Sequence, residues 1–134
     1  MHSLLVIEDD ELLALLLHRV LTQAGYACTT VLKLGDVAHR VEQLGSVDLV
    51  LTDVFFEETT SFETVHGVKT LFPEASVVVM SGHSREYVKR QGRGWDDDWL
   101  FIQKPFSTSD LLELVAQQLN LKPGKEAENG AVNG

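Results

Sequence analysis

The stretch Leu49-Val50-Leu51-Thr52-Asp53 decides the fold of this 134-residue chain. Its apolar residues follow one another without the polar alternation of a half-exposed strand, and the run stops at a carboxylate. A continuous apolar run of this length, bounded in this way, is typical of a parallel strand that is buried on both faces. We therefore predict a strand over 48–52 that ends by presenting Asp53 at a working edge of a sheet.

Three further apolar runs end in polar residues that can do chemistry, namely Leu4 to Ile7 before Glu8-Asp9-Asp10, Ser76 to Met80 before Ser81-Gly82, and Leu100 to Ile102 before Gln103-Lys104-Pro105. Between the runs the apolar spacing changes to three and four residues, which indicates helices. Alternating strands and helices predict an α/β fold, a parallel sheet with helices on both faces. All strands then end at one edge, where open α/β sheets bind their ligands.

Five helices are expected, over 11–24, 35–44, 62–72, 86–91 and 107–120, the fourth of them short and weak. The buried stripe of the first is expected to comprise Leu12, Leu15, Leu16, Val20 and Leu21. Ser107, three residues before Asp110, is predicted to cap the last helix. The segment 92–99 carries three aspartates between Trp95 and Trp99, and we expect a solvated loop there, with a partner surface as the alternative.

Composition narrows the function classes. The formal net charge of −9 argues against a nucleic-acid-binding surface, which would need a basic patch. A single cysteine, Cys28, excludes an internal disulfide and suits a reducing compartment. No apolar run approaches a membrane span, so we expect a soluble, cytoplasmic protein without membrane contact. One domain is predicted over 1–121, followed over 122–134 by a disordered C-terminal tail or linker.

The polar residues at the strand ends suit phosphoryl transfer. Three carboxylates in close proximity cannot all stay ionised without compensation, and a divalent cation provides it. Oxygen ligands alone favour Mg²⁺ or Mn²⁺. Lys104 and the Ser81 hydroxyl would stabilise the oxygens of a phosphoryl group, which a carboxylate such as Asp53 can accept. Taken singly, each of these residues is more often a turn former or a helix cap.

Four motifs in this order and spacing resemble the response-regulator receiver domains of two-component signalling, namely Leu4-Leu5-Val6-Ile7-Glu8-Asp9-Asp10, Asp48-Leu49-Val50-Leu51-Thr52-Asp53, Val79-Met80-Ser81-Gly82 and Phe101-Ile102-Gln103-Lys104-Pro105-Phe106. The resemblance covers about residues 3–120. It implies a (βα)5 doubly wound, flavodoxin-like fold with a five-stranded parallel sheet in the order 2-1-3-4-5. The strand order comes from the resemblance alone.

The resemblance also implies a set of metal ligands. The motif positions that hold Mg²⁺ (or Mn²⁺) in receiver domains are occupied here by Glu8, Asp9, Asp53 and the backbone carbonyl of Phe55. Of the acidic pair, Asp9 matches the more direct ligand, and Glu8 matches a residue that acts partly through water.

Asp53 matches the family's phosphoacceptor, and three more residues match positions around it. Ser81 matches the hydroxyl residue that follows the phosphoryl group, and Lys104 matches the lysine that binds it. The family places a cis peptide bond between Lys104 and Pro105, which aims the lysine. Phe101 matches the aromatic switch residue on the last strand, although it lacks the hydroxyl of the commoner tyrosine.

The implied function is a phosphoacceptor signalling domain. A histidine kinase or histidine phosphotransfer protein would donate a phosphoryl group from phosphohistidine to Asp53, and a surface for a downstream protein target would switch. The domain would catalyse only its own phosphorylation and dephosphorylation. We expect no DNA-binding module after Asn120, which leaves a stand-alone receiver or the receiver of a hybrid histidine kinase.

Departures from the family pattern leave alternatives open. Phe56 and Glu57 stand where the family usually has Met-Pro, and Ser61 replaces a glycine, which puts the conformation of that loop in doubt. A pseudo-receiver that binds without phosphorylation is the main alternative. An aspartyl phosphatase would need a second aspartate at Phe55, and a flavodoxin-like electron carrier would need a phosphate-cradling loop. We also expect Phe55 and His83 to restrict water at the phosphoryl group.

Overall fold

The described residues form one sheet of five parallel strands with helices on both faces. The computed structural model describes residues 1–33, 36–54 and 62–120. The strands lie in the order β2-β1-β3-β4-β5, as the resemblance implied. Their bounds are Ser3–Ile7 for β1, Ala27–Val31 for β2, Leu49–Asp53 for β3, Ser76–Ser81 for β4 and Leu100–Gln103 for β5.

The helices divide between the two faces because the inward residues of each strand alternate. Their bounds are Glu11–Gln23 for α1, Val41–Leu44 for α2, Glu63–Leu71 for α3, Arg85–Gln91 for α4 and Thr108–Asn120 for α5. Leu4, Leu49 and Leu51 pack with α1 and α5 in one core cluster. Leu5 and Val50 point to the opposite face, where one cluster joins them to α2 and α3, and a further cluster joins β4 to α3 and α4. The predicted doubly wound fold is confirmed.

Local signals fix several helix ends. Asp10 caps α1, since its carboxylate accepts hydrogen bonds from the backbone N–H groups of Leu12 and Leu13 at 3.0 and 3.2 Å. The predicted cap of α5 is confirmed, because the N–H of Asp110 donates to the Ser107 hydroxyl at 3.0 Å. Gly25 follows α1 with a φ of 101°, a conformation that favours glycine.

The predicted inner face of α1 is wrong. Leu12, Leu15 and Leu16 are 80%, 56% and 48% exposed, whereas Ala14, Leu17 and Leu21 are buried against the sheet; of the predicted stripe only Leu21 is fully buried, and Val20 is half-buried. Leucines occupy nearly every side of this helix, so periodicity could not select the side that faces the sheet. An apolar face of α1 is left on the surface.

Two other segments differ from expectation. Within the described residues 36–44 of the predicted helix, the structure has a 3₁₀ turn, Ala38–Arg40, and the single turn of α2. Val37 is buried and Leu44 is partly buried, so these two residues anchor the segment to the sheet. The expected solvated loop over 92–99 is instead attached to the core, because Trp99 is only 3% exposed. Aspartates around an aromatic residue did not prevent its burial.

None of the helices in the described ranges combines the length and the apolar character that crossing a bilayer requires. Cys28 lies half-buried on β2, and burial raises the pKa of its thiol to about 11, which makes it an unreactive packing residue. The tail predicted over 122–134 lies outside the described residues.

Candidate functional site

Strand register brings the predicted site residues to one edge of the sheet. Asp53 ends β3, the middle strand, which pairs with β1 on one side and with β4 on the other. Glu8 and Asp9 therefore emerge on one side of Asp53, and Ser81 emerges on the other side. Lys104 follows β5, and its N–H donates to the carbonyl of Ser81 at 2.7 Å.

An acidic cluster forms at this edge. Oxygens of Glu8, Asp9 and Asp53 all lie within 4.8 Å of one another. Glu8 is 1% exposed and Asp53 is 8% exposed, while Asp9 opens to solvent. Two buried carboxylates side by side with a third are unfavourable without a cation. An all-oxygen donor set with one face open to water fits Mg²⁺, which keeps several waters as ligands.

The electrostatics of Asp53 reflect this crowding. The pKa of Asp53 is raised from 3.8 to about 6, chiefly by burial and next by the negative charge of Glu8, with a smaller contribution from Asp9. Lys104 acts in the opposite direction through its charge and a hydrogen bond. Asp53 is thus a carboxylate whose charged form lacks full compensation, and a cation at the acidic cluster would supply it.

Lys104 is held between the two buried acids. Its Nζ lies 2.9 Å from Oε2 of Glu8 and 3.4 Å from Oδ1 of Asp53. The peptide bond to Pro105 is cis, as the resemblance implied. Burial acts to lower the pKa of Lys104, but the hydrogen bond to Glu8 and the charges of Asp53 and Glu8 outweigh it, and the net pKa is raised. The ammonium group is therefore charged beside Asp53.

Ser81 is buried at the end of β4, and its Oγ accepts a hydrogen bond from the N–H of His83 at 3.1 Å. Because this bond uses the oxygen as an acceptor, the hydroxyl proton remains available to another acceptor. The ring of His83 stacks on Tyr87 with centroids 4.5 Å apart. Phe101 is half-buried on β5 against the cluster formed by α3 and α4, away from the acids. The backbone carbonyl of Phe55 lies outside the described residues.

A groove beside Lys104 was missed by sequence reasoning. Its volume is about 390 Å³, and it runs between α1 and the start of α5, lined by Leu13, Leu16, Leu17, Lys104, Pro105, Phe106 and Thr108. It continues onto the exposed face of α1 that carries Leu12 and Leu15. The available signal was that α1 is apolar all round, which means that the sheet could cover only part of its apolar surface.

Comparison with known proteins gives a consistent result. The family model described as response regulator receiver domain matches residues 4–116. The DNA-binding transcriptional regulator NtrC of Bradyrhizobium sp. (strain RP501 Parasponia) is 29% identical over 119 residues, which cover 87% of this chain and 24% of that protein. The uncharacterized transcriptional regulatory protein YrkP of Bacillus subtilis (strain 168) is 31% identical over 121 residues, 88% of this chain and 49% of that protein.

These curated relatives are longer proteins, and the chain spans between about a quarter and about half of their length. Among solved structures, a response regulator receiver protein from Sinorhizobium medicae WSM419 aligns with a TM-score of 0.72 and 25% identity, over 89% of this chain and 94% of that one. The receiver domain of the hybrid histidine kinase CckA, at 22% identity and a TM-score of 0.69, over 87% of this chain and 98% of that one, supports the fold alone.

Proposed function

Because the chain belongs to the response regulator receiver domain family, we propose that it accepts a phosphoryl group on Asp53 from a phosphohistidine and thereby switches a protein-interaction surface. The observation that carries this proposal is the position of Asp53. It is a buried carboxylate with an acidic pair on one side, and Lys104 lies 3.4 Å away.

In the proposed reaction an oxygen of Asp53 attacks the phosphorus atom in line with the phosphohistidine nitrogen. The new P–O bond forms as the P–N bond breaks, and the imidazole leaves with the electron pair and then takes a proton from water. Glu8, Asp9, Asp53 and the carbonyl of Phe55 would hold Mg²⁺ or Mn²⁺. The bound cation would neutralise negative charge on the phosphoryl oxygens.

Lys104 and Ser81 stabilise the product in this proposal. The ammonium group of Lys104, which the free domain shares between Glu8 and Asp53, would turn to a phosphoryl oxygen. The Ser81 hydroxyl would donate a hydrogen bond to a second phosphoryl oxygen, and this bond would draw Ser81 toward Asp53. Since the N–H of His83 bonds to Ser81, the end of β4 and the start of α4 move with it. Phe101 would then turn inward and change the surface of α4, β5 and α5.

The phosphodonor is proposed to dock on α1. The exposed leucines Leu12, Leu15 and Leu16 and the groove beside Phe106 form an apolar surface that ends at Lys104, next to the acceptor. A partner that carries a phosphohistidine must reach Asp53 from this edge, and apolar burial would hold it there. The partner is a histidine kinase or a histidine phosphotransfer protein.

The domain bounds, the cellular location and the kind of target are also part of the proposal. The functional unit is the receiver domain over 1–121, with 122–134 as tail or linker, in the cytoplasm. It acts on a downstream protein target either as a stand-alone receiver or as part of a hybrid histidine kinase. The domain turns over no substrate except its own phosphoryl group.

Intact-mass measurement tests the proposal directly. The chain is incubated with Mg²⁺ and a small phosphodonor, and we expect a phosphate adduct on the wild type and none on Asp53→Asn. Chelation of the cation should prevent the adduct. A wild-type chain that gains no phosphate under these conditions would support the pseudo-receiver instead.

A further inference from the structure

An aromatic cluster lies on the α3–α4 side of the sheet, away from the acidic site. The ring of Phe62 is 5.6 Å from that of Trp95 and 5.3 Å from that of Trp99, between centroids. The two indole rings are 5.4 Å apart, and all three pairs meet edge to face. This geometry is favourable for aromatic pairs, so the three rings form one packed unit.

Backbone contacts fasten the segment 92–99 to the start of α3. The N–H of Phe62 donates to the carbonyl of Arg93 at 2.8 Å, and Nε2 of His66 donates to the carbonyl of Gly94 at 2.6 Å. Gly92 approaches so closely that a Cβ there would lie 2.2 Å from the Phe62 ring. The segment therefore packs against α3 through hydrogen bonds to its main-chain carbonyls as well as through ring contacts.

The cluster has a connection at each end. Phe62 directly follows residues 55–61, the stretch that leads on from the acceptor Asp53. At the other end, Trp95 faces Phe101 on β5 with centroids 6.5 Å apart. The segment 92–99 thus contacts both Phe62, the residue that follows 55–61 in the sequence, and Phe101, the proposed switch.

The packing of Trp95 contains an unfavourable element. The Nε1 atoms of Trp95 and Trp99 are buried, and no described residue accepts a hydrogen bond from them. A buried donor without an acceptor disfavours the arrangement that contains it. A repacking that brings the Trp95 donor to solvent would recover this loss.

We infer that the segment 92–99 is a clamp through which Trp95 couples the position of Phe101 to the start of α3. The inference rests on the proposed function, because Phe101 is the residue proposed to turn on phosphorylation. When Phe101 turns inward, Trp95 loses a neighbouring ring and repacks, and the change reaches Phe62 at the start of α3. Trp95 is a positioning residue here and touches none of the reacting atoms.

Hydrogen exchange tests the coupling without phosphorylation. In Phe101→Leu, the amide of Phe62 is expected to exchange about fivefold faster than in the wild type, since an aromatic contact worth about 1 kcal/mol has been removed from the clamp. Phe106→Leu is the matched control, because Phe106 is also half-buried but packs on the opposite face of the sheet. The amide of Val50 reports that the fold is intact. Unchanged exchange at Phe62 in Phe101→Leu overturns the clamp.

Tryptophan emission tests the coupling in the phosphorylated state. Trp99→Phe leaves Trp95 as the sole tryptophan of the chain. With Mg²⁺ and a small phosphodonor, its emission is expected to change, and Asp53→Asn or Phe101→Leu in the same background should abolish the change. An adduct by mass without a change in emission rejects the clamp and leaves the proposed function standing. If no adduct forms, the proposed function fails and the exchange measurement alone decides the clamp.

Discussion

Lys104 donates a 2.9 Å hydrogen bond to Glu8, a buried carboxylate 96 residues away in the chain. The pair joins the last strand end to the first and closes the site around Asp53. Glu8 has this ammonium group as its counter-charge, and so has Asp53, at 3.4 Å. Any event that moves Lys104 therefore changes the electrostatic balance of two buried acids at once.

Lys104→Ala is expected to destabilise the metal-free domain by about 2 kcal/mol, because removal of one partner leaves buried charge without compensation. The free energy of unfolding from denaturant titration measures the effect. Lys89→Ala is the control, since the Lys89–Asp97 pair at 3.3 Å is exposed and should contribute less than about 0.5 kcal/mol. Equal losses in the two variants would contradict a special role for Lys104.

Asp53→Asn is expected to stabilise the metal-free domain at pH 8 by about 1–2 kcal/mol. Each unit by which folding raises the pKa of Asp53 corresponds to about 1.4 kcal/mol, and the cost of burying the amide offsets part of this gain. The folded pKa of Asp53, about 6, is above its reference value of 3.8, so between these values the folded state binds more protons than the unfolded state. Stability therefore falls as pH rises through this window, and the gain from asparagine grows with it.

Denaturant titrations of wild type and Asp53→Asn at pH 4 and pH 8, with a chelator present, check this pH dependence. Asp98→Asn replaces an exposed carboxylate and should change the free energy of unfolding by less than about 0.5 kcal/mol at both values. A gain in Asp53→Asn that is the same at both pH values would show that the buried charge is not its source.

Mg²⁺ is expected to raise the Tm of the wild type, because a ligand that binds only the folded state stabilises it. Asp9→Asn should lose most of this increase. Asp10→Asn is the neighbouring control: Asp10 caps α1 and is not in the acidic cluster, and asparagine is an equally good cap. Thermal unfolding with and without Mg²⁺ measures the increase in Tm for each variant. If only Asp10→Asn lost the increase, the cation would bind elsewhere.

Leu12→Ser is expected to leave the free energy of unfolding within about 0.5 kcal/mol of wild type, since Leu12 is exposed. Its effect should appear in docking. The rate of phosphoryl transfer from a phosphohistidine protein should fall about tenfold relative to the rate with a small phosphodonor, because one apolar contact at the interface is lost. Leu17→Ala, on the buried side of the same helix, should instead cost about 3 kcal/mol of stability. An unchanged ratio of the two rates in Leu12→Ser would exclude α1 as the docking surface.

Gly92→Ala is expected to destabilise the fold by about 1–3 kcal/mol, because its Cβ would overlap the Phe62 ring. Gly67→Ala is the matched control within α3: its Cβ would meet nothing within 4 Å, and alanine should stabilise the helix by up to about 1 kcal/mol. Opposite signs in the two denaturation experiments are the expected result. A neutral Gly92→Ala would mean that the segment 92–99 does not pack on Phe62.

The strands and the polar residues at their ends were predictable because the apolar runs of β1, β3 and β4 are buried on both faces and because these runs, like that of β5, stop at polar residues. The orientation of α1 was not, since Leu12 and Leu17 are equally apolar and only the shape of the sheet selects between them. The segment 92–99 was expected to be a solvated loop, yet Trp99 is buried while the preceding Asp97 and Asp98 are exposed, and the sequence carries no periodic signal for that difference. The Lys104–Glu8 bond depends on tertiary distances, which no spacing in the sequence encodes.

The order of the strands also places Asp53 and Phe101 on strands with different numbers of hydrogen-bonded neighbours. β3 is hydrogen-bonded to β1 and β4, so opening of this strand must break two ladders, whereas β5 is bonded among the described strands to β4 alone. Asp53 therefore lies at the end of a strand that is held on both sides. Phe101 lies on an edge strand, where local opening breaks one ladder and leaves the pairing of β3 with β1 and β4 intact.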